Sequence, residues 1–334
     1  MMAVPARAMR QLSEAQIRRR PVVVIVGPTA VGKSRVAVEV AKVFETEVLT
    51  ADSRQVYCGM DVGTDKPALE ERQSIPHRLI DLINPDESFN AGLYRRRAID
   101  EIDRLHRELR LPLVVGGTGL YVRTLLMGLC DAPPADPIVR AALKLEAKDQ
   151  GHDRLYARLV EVDPAAAARL HPRDESKVIR ALEVYHLSGR RMSEFQQHHG
   201  FAERRFSPLI IGLNRDRRAL YERIEERIDR QLADGLIEET QRLLTRGYQR
   251  TSAALKGLGY RHVAGHLSGE YDKAEMVRRF KRDTRHLCKR QLTWFRKEPG
   301  IRWLTINETE SVQHTAARVI EQMDRFLAAL GDHG

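Results

Sequence analysis

Apolar positions along the first 130 residues switch between two regimes. Pro21-Val-Val-Val-Ile-Val26 is a short β-branched run bounded by proline and glycine, the pattern of a strand buried on both faces. After the Gly27–Lys33 segment the spacing turns helical, with Val36, Val40 and Val43 on one face through Phe44. Glu47–Ala51 predicts a second strand ending at Asp52, Arg78–Ile83 a third, and Pro112–Val115 one stopped by Gly116-Gly117. Between the last two, Gly92–Leu109 sets Ile99, Ile102, Leu105 and Leu109 on one helical face. Strands alternating with helices predict an α/β fold: a parallel sheet flanked by helices.

The pattern changes at Ala132-Pro133-Pro134-Ala135-Asp136-Pro137, where Pro-containing turns mark a boundary. Beyond it come helical spacings at Val139–Gln150, Arg154–Val162, Pro164–Leu170 and Ser176–Leu187, with no strand. Pro208–Leu213 then returns as a strand, followed by long helices at Arg217–Arg246 and Tyr271–Arg296. The expected organisation is a core from residues 21–134 and 207–315, interrupted by a helical insertion domain at 135–206. Residues 316–334 form a C-terminal helix or tail. Residues 1–20 are Arg-rich and lack the apolar centre of a secretory signal, so they are expected as a flexible leader.

Composition narrows the class. With 42% hydrophobic and 31% charged residues, disorder and low-complexity classes are excluded. The longest apolar run, Val22–Val26, is far short of the roughly 20 residues that span a bilayer, so no membrane partner is expected. Three scattered cysteines give no disulfide framework and favour a reducing compartment. Lys and Arg total 56 against 46 acids, a formal charge of +10 that favours a polyanionic partner. Nine cations between Arg278 and Lys297, interleaved with Phe280, Trp294 and Phe295, read either as an RNA-binding surface or as a charged helix face over buried aromatics.

Gly27-Pro28-Thr29-Ala30-Val31-Gly32-Lys33-Ser34 matches G-x-x-x-x-G-K-[ST] between a strand and a helix. Such a loop turns successive backbone N–H groups inward at a helix N-terminus, Lys33 adds a charge, and Ser34 offers a hydroxyl to Mg²⁺. It therefore binds a diphosphate or triphosphate. No Walker-B acid ends the 112–115 strand, and the guanine-reading N-K-x-D motif is absent. The first acid at a strand end is Asp52, which reads as a metal ligand, a general base or a turn aspartate.

The stretches GPTAVGKS (27–34), ADSRQVYCGMDVGTDKP (51–67), PHRLID (76–81), VVGGTGLYVRTLL (114–126), VIRALEVYHLSGR (178–190), GLGYR (257–261) and CKRQLTWFRK (288–297) resemble the tRNA dimethylallyltransferase family of bacterial type, in order, over about residues 20–300. The resemblance implies a P-loop NTPase-like core. It implies transfer of a dimethylallyl group from dimethylallyl diphosphate to N6 of the adenosine adjacent to the anticodon in tRNA, releasing diphosphate. The loop residues with Arg223 and Arg227 would hold the donor, with Mg²⁺ on Ser34. Asp52 would be the general base, and Lys33 and Thr118 its catalytic neighbours. Contacts to tRNA are implied for Asp52, Ser53, Arg54, Gln55, Thr118 and Arg140, for Ser176, Lys177 and Arg180, for Lys256, Gly257, Gly259, Tyr260 and Arg261, and for Lys289, Arg290, Gln291, Trp294 and Arg296. The target adenosine is expected to flip into a channel between core and insertion. Three positions depart from the family pattern: Cys58 and Lys177, where a basic residue and Arg are common, and Asp65, which replaces a small residue. No paired cysteines follow Arg302, which removes the zinc-finger extension of eukaryotic members and implies a cytoplasmic enzyme, expected as a monomer. Two other classes stay open at this point: a P-loop kinase of a nucleoside or other small molecule, and a non-catalytic RNA-binding protein. His262 and His266 lack a third ligand and are not expected to bind metal.

Overall fold

The computed structural model describes residues 11–200 and 203–331. Six strands among them form one parallel sheet: β1 (Pro21–Val26), β2 (Val48–Thr50), β3 (His77–Arg78), β4 (Leu113–Gly116), β5 (Ser207–Asn214) and β6 (Ile301–Thr305), in the order β3-β2-β4-β1-β5-β6. All six residues of β1 are buried, as its unbroken apolar run requires. Its register runs from Pro21 opposite Ser207 to Val26 opposite Gly212, so the strand that returns after the insertion lies directly beside the first.

Several elements differ from expectation. The third strand stops at Arg78 because Leu79 and Asp81 take φ of 65° and 52°, which carries the chain out of the sheet. The expected helix Arg217–Arg246 is two helices, Arg217–Ala233 and Leu236–Thr245, divided where Gly235 adopts φ 94°. Lys256–Arg261, one of the segments implied to contact tRNA, enters a helix at Leu258–Leu267. β6 was not expected; as an edge strand it buries only Leu304 well, and its two-sided polarity hides it.

The chain ends are part of the core where they are described. Ser13 and Gln16 form a capping box on helix Glu14–Arg18, Leu12 is buried, and its N–H donates to Leu109 O at 2.8 Å. Residues 11–20 are therefore not a loose leader; residues 1–10 lie outside the described residues. Helix Val312–Gly331 packs on helix Lys33–Phe44 through buried Val319 and Met323. Of the expected helix or tail the chain forms a helix, and it is part of the core; residues 332–334 lie outside the described residues.

Residues 127–204 form a second compact unit, starting earlier than the expected 135. Its core is Leu143, Leu155, Leu159, Val178 and Leu182, presented by helices Pro137–Gln150, His152–Val162 and Glu175–Ser188. Asp163 joins its short helices: Oδ1 accepts Ala166 N–H and Oδ2 accepts Ser193 N–H, both at 2.9 Å.

Candidate active site

Three neighbouring strands deliver three candidate segments to one edge of the sheet. β2, β4 and β1 stand side by side, and their carboxyl ends run into Asp52, the Gly117-Thr118 turn and the Gly27–Ser34 loop. This is the edge at which parallel α/β sheets bind ligands. Glycine is required at the closest approaches. A Cβ on Gly27 would sit 2.5 Å from Leu213 O, and one on Gly116 would sit 2.0 Å from Ala51 O.

The loop is braced from several sides. Lys33 Nζ donates to Gly27 O at 3.0 Å and Pro28 O at 2.8 Å. Burial pushes the Lys33 ammonium down to about 8; Asp52 opposes that shift, Arg227 adds to it and Asp65 opposes it. Arg223 Nε donates to Ala30 O at 2.9 Å, supporting a residue whose φ is 64°. Arg215 Nε donates to Val31 O at 3.2 Å, and its Nη1 to Asn307 O at 3.0 Å. Burial lowers both guanidinium pKa values, and Arg223 adds to the shift at Arg215. Arg227 Nη1 pairs with Asp65 Oδ2 at 3.0 Å. Arg215 was not among the expected residues. Its one signal is position, directly after β5, the strand beside β1.

Thr118 is locked to the end of β2, and Asp52 is held by its own turn. Asp52 Oδ1 accepts Arg54 N–H at 2.8 Å, which fixes the carboxylate. Thr118 N donates to Ala51 O at 3.1 Å, and its Oγ1 accepts Ser53 N–H at 3.0 Å. Gln291 then joins the turn to the loop: its Oε1 accepts Thr29 N–H at 2.8 Å and its Nε2 donates to Gly117 O at 3.0 Å. Gln291, expected among the tRNA contacts, bridges the Gly27–Ser34 loop and the Gly117-Thr118 turn.

Residues 55–298 match the family pattern described as IPP transferase. The chain belongs to the IPP transferase family. It is 46% identical over 292 residues to tRNA dimethylallyltransferase 2 of Geotalea daltonii, covering 87% of this chain and 89% of the relative. It is 46% identical over 282 residues to the tRNA dimethylallyltransferase of Geobacter sulfurreducens, covering 84% and 91%. Among solved structures, the tRNA isopentenylpyrophosphate transferase of Bacillus halodurans superposes with a TM-score of 0.69 at 34% identity, covering 94% of this chain and 100% of that one. A eukaryotic dimethylallyltransferase acting on tRNA gives 0.78 at 28% identity, covering 91% and 80%. The parallel sheet flanked by helices is the P-loop NTPase-like core of these transferases.

Within this IPP transferase the expected tRNA contacts separate by exposure. Gln55, Gly257, Gly259 and Tyr260 are buried, so their side chains and Cα positions do not lie on the surface of the free chain. Gln55 Nε2 donates to Thr64 O at 3.2 Å and Asp65 O at 3.0 Å. Tyr260 OH donates to Glu239 Oε1 at 2.5 Å. The same buried Glu239 accepts the N–H groups of Asp61, Val62 and Gly63 at 2.9–3.1 Å, an anchor that no sequence pattern announced. Arg54 Nη1 donates to Ala253 O at 2.6 Å, and Arg261 pairs with Asp283 at 2.7 Å. Lys256 is exposed.

Helix Lys273–Arg296 divides along its length. Arg278 and Arg279 pair with Glu275, Lys281 with Asp229, Arg282 with Asp283 and Arg285 with Glu225. Toward its C-terminus, Lys289, Arg290 and Arg296 are exposed and have no carboxylate partner among the described residues, with Trp294 half-exposed beside them. Phe280 and Phe295 are buried, so the aromatics of this helix serve both readings given above.

In the second unit, Arg140 and Arg180 both bind the fully buried Glu183, each at 2.7 Å. Burial alone would raise the Glu183 pKa; the two arginines outweigh it and hold the carboxyl below its ordinary range. Both arginines thus act within the unit. Ser176 Oγ donates to Asp174 Oδ1 at 3.2 Å, and Lys177 pairs with Asp174 at 2.5 Å. His262 is buried and faces Asp283 at 3.1 Å, and the described residues contain no cluster of three His, Cys, Asp or Glu able to hold a metal.

Proposed function

We propose that this chain transfers a dimethylallyl group from dimethylallyl diphosphate to N6 of the adenosine adjacent to the anticodon in tRNA, releasing diphosphate. The observation that carries the reading is the convergence of the phosphate loop, Thr118 and Asp52 at the carboxyl ends of β1, β4 and β2. A diphosphate leaves only when its growing charge is met. In this reading the loop N–H groups and Lys33 meet it. The exocyclic amine of adenine is a weak nucleophile and must lose a proton as the carbon–nitrogen bond forms. Asp52 is the carboxylate at hand, with Oδ1 fixed by Arg54 N–H. Gln291 keeps the donor loop and the Thr118 turn in register.

Ser34 is exposed at the start of helix Lys33–Phe44. One hydroxyl without a carboxylate cage suits Mg²⁺, which keeps waters and binds substrate phosphate oxygens. Bound there, it would neutralise charge on the diphosphate. The exposed Lys289, Arg290 and Arg296 supply cations for the RNA backbone, and half-exposed Trp294 supplies a stacking face. The enzyme is read as a monomer, working in the cytoplasm where tRNA is. No helix among the described residues is long and apolar enough to cross a membrane. No observation favours the kinase or the non-catalytic reading.

The test is incubation with dimethylallyl diphosphate, Mg²⁺ and unmodified tRNA, followed by nucleoside mass spectrometry. The expected product is N6-dimethylallyladenosine at the position 3′ to the anticodon. Phosphate transfer from ATP without prenylated nucleoside would overturn the reading.

A further inference from the structure

Two arginines one turn apart on helix Arg217–Ala233 have different partners. Arg223 gives its Nε to Ala30 O and braces the loop. Arg227 binds no backbone: its Nη1 pairs with Asp65 Oδ2 at 3.0 Å, and its buried Nε has no hydrogen-bond partner among the described residues. Buried donors are nearly always satisfied, so this Nε marks a place for a further acceptor. Arg227 and Asp65 both act on the Lys33 ammonium, in opposite senses, which puts the pair within electrostatic reach of the phosphate loop. Both also line a cavity of about 750 Å³, together with Lys66, Arg230 and Gln231.

Asp65 is held toward Arg227 by its own backbone. Its φ is 55°, its N–H donates to Val62 O at 3.2 Å, and its carbonyl accepts Gln55 Nε2. The adjacent Lys66 does not compete for it. That ammonium is enclosed by Tyr57 O, Asp61 and Asp81. Among the described residues, Arg227 is the ion-pair partner of Asp65. Among the charges that act on the Lys33 ammonium, Asp52 and Asp65 thus oppose Arg227. Asp52 has a role in the proposed chemistry, and Asp65 has none.

We propose that Asp65 is an internal stand-in for the diphosphate: it occupies Arg227 until donor arrives, is displaced by the incoming oxyanion, and returns to help expel pyrophosphate. The proposal rests on the reading of the loop as a diphosphate site. An arginine, a lysine and a ring of amides together would hold a polyanionic product tightly. A carboxylate competing for the arginine weakens that grip for donor and product alike.

The test is titration calorimetry of inorganic pyrophosphate, with Mg²⁺, into the full chain and its Asp65→Asn, Arg227→Gln and doubly substituted variants. Asparagine tolerates the left-handed φ and keeps both backbone hydrogen bonds, so the fold is preserved. Asp65→Asn is expected to tighten pyrophosphate binding about tenfold, combining a lost ion pair with lost repulsion. The KM for dimethylallyl diphosphate should fall in step, while that for tRNA stays fixed. A purely structural role for Asp65 would produce the opposite sign. Unchanged or weaker binding in Asp65→Asn overturns the proposal, as does a tightening of undiminished size in the Arg227→Gln background. Failure of all four proteins to bind pyrophosphate overturns the diphosphate reading itself.

Discussion

The Lys33 ammonium sets a specific pH response for donor binding. Its pKa is held at about 8 by burial. A bound diphosphate brings negative charge against it and raises that value, so the complex holds more protons than the free enzyme above pH 8. Affinity must then fall as pH rises. With a free pKa of about 8, roughly nine-tenths of the lysine is charged at pH 7 and one-tenth at pH 9. Between those values the apparent affinity should drop about tenfold, or ~1.4 kcal/mol. The assay is titration of an unreactive thiolo analogue of dimethylallyl diphosphate at constant Mg²⁺. Running it in buffers of different ionisation heat reads proton uptake directly, with about half a proton expected at pH 8. Lys33→Met should bind more weakly and lose the response. A flat affinity from pH 7 to 9, or the same slope in Lys33→Met, would refute the placement of a depressed ammonium under the diphosphate. The sign for folding is the reverse: from about pH 8 toward 10.5 the unfolded chain binds the extra proton, so this lysine makes folding more favourable as pH rises.

Asp52→Asn should lower the single-turnover rate by about 10²–10⁴ while leaving tRNA affinity in a filter-binding assay nearly unchanged; lost affinity with an intact rate would contradict the base assignment. Gln291→Leu removes the bonds to Thr29 and Gly117 and should raise the donor KM and lower kcat by about tenfold together, with little change in Tm, since the bridge orders a site and not the core. Glu239→Gln weakens an acceptor shared by three backbone N–H groups and the Tyr260 hydroxyl, and should cost about 2 kcal/mol in denaturant unfolding. Replacing Lys289 and Arg290 together by alanine should reduce the slope of log affinity for tRNA against log salt by about 1.5–2; an unaltered slope would take those side chains off the RNA.

The sheet was legible where a strand is buried on both faces or follows sharp punctuation. β1, β4 and β5 carry unbroken apolar runs bounded by Gly or Pro, and they emerged within a residue or two. β3 and β6 lie at the two edges of the sheet, where one side of each strand lacks a partner and the apolar signal fades. The division at Gly235 escaped because the helical periodicity continues on both sides of it; only the positive φ of one residue breaks the helix.

The site shows the same asymmetry at the level of chemistry. A phosphate loop is a contiguous backbone device, so eight consecutive residues announce it. What holds the loop is not contiguous. Arg215 and Arg223 reach it from beyond the insertion, Gln291 from a helix more than 250 residues away, and each does so through one hydrogen bond to a backbone group that leaves no trace in composition or period. Basic residues mislead in the same way. Read along the chain, Arg278 to Lys297 is one cationic stretch; in the fold, Glu275, Asp229, Asp283 and Glu225 neutralise its first half, and the exposed charge lies at the far end of the helix. A polyanion would meet the stretch from Lys289 onward, the stretch that begins two residues before the Gln291 bridge. The exposed cationic end of this helix and the phosphate loop are therefore mechanically joined, through a single amide that touches both Thr29 and Gly117.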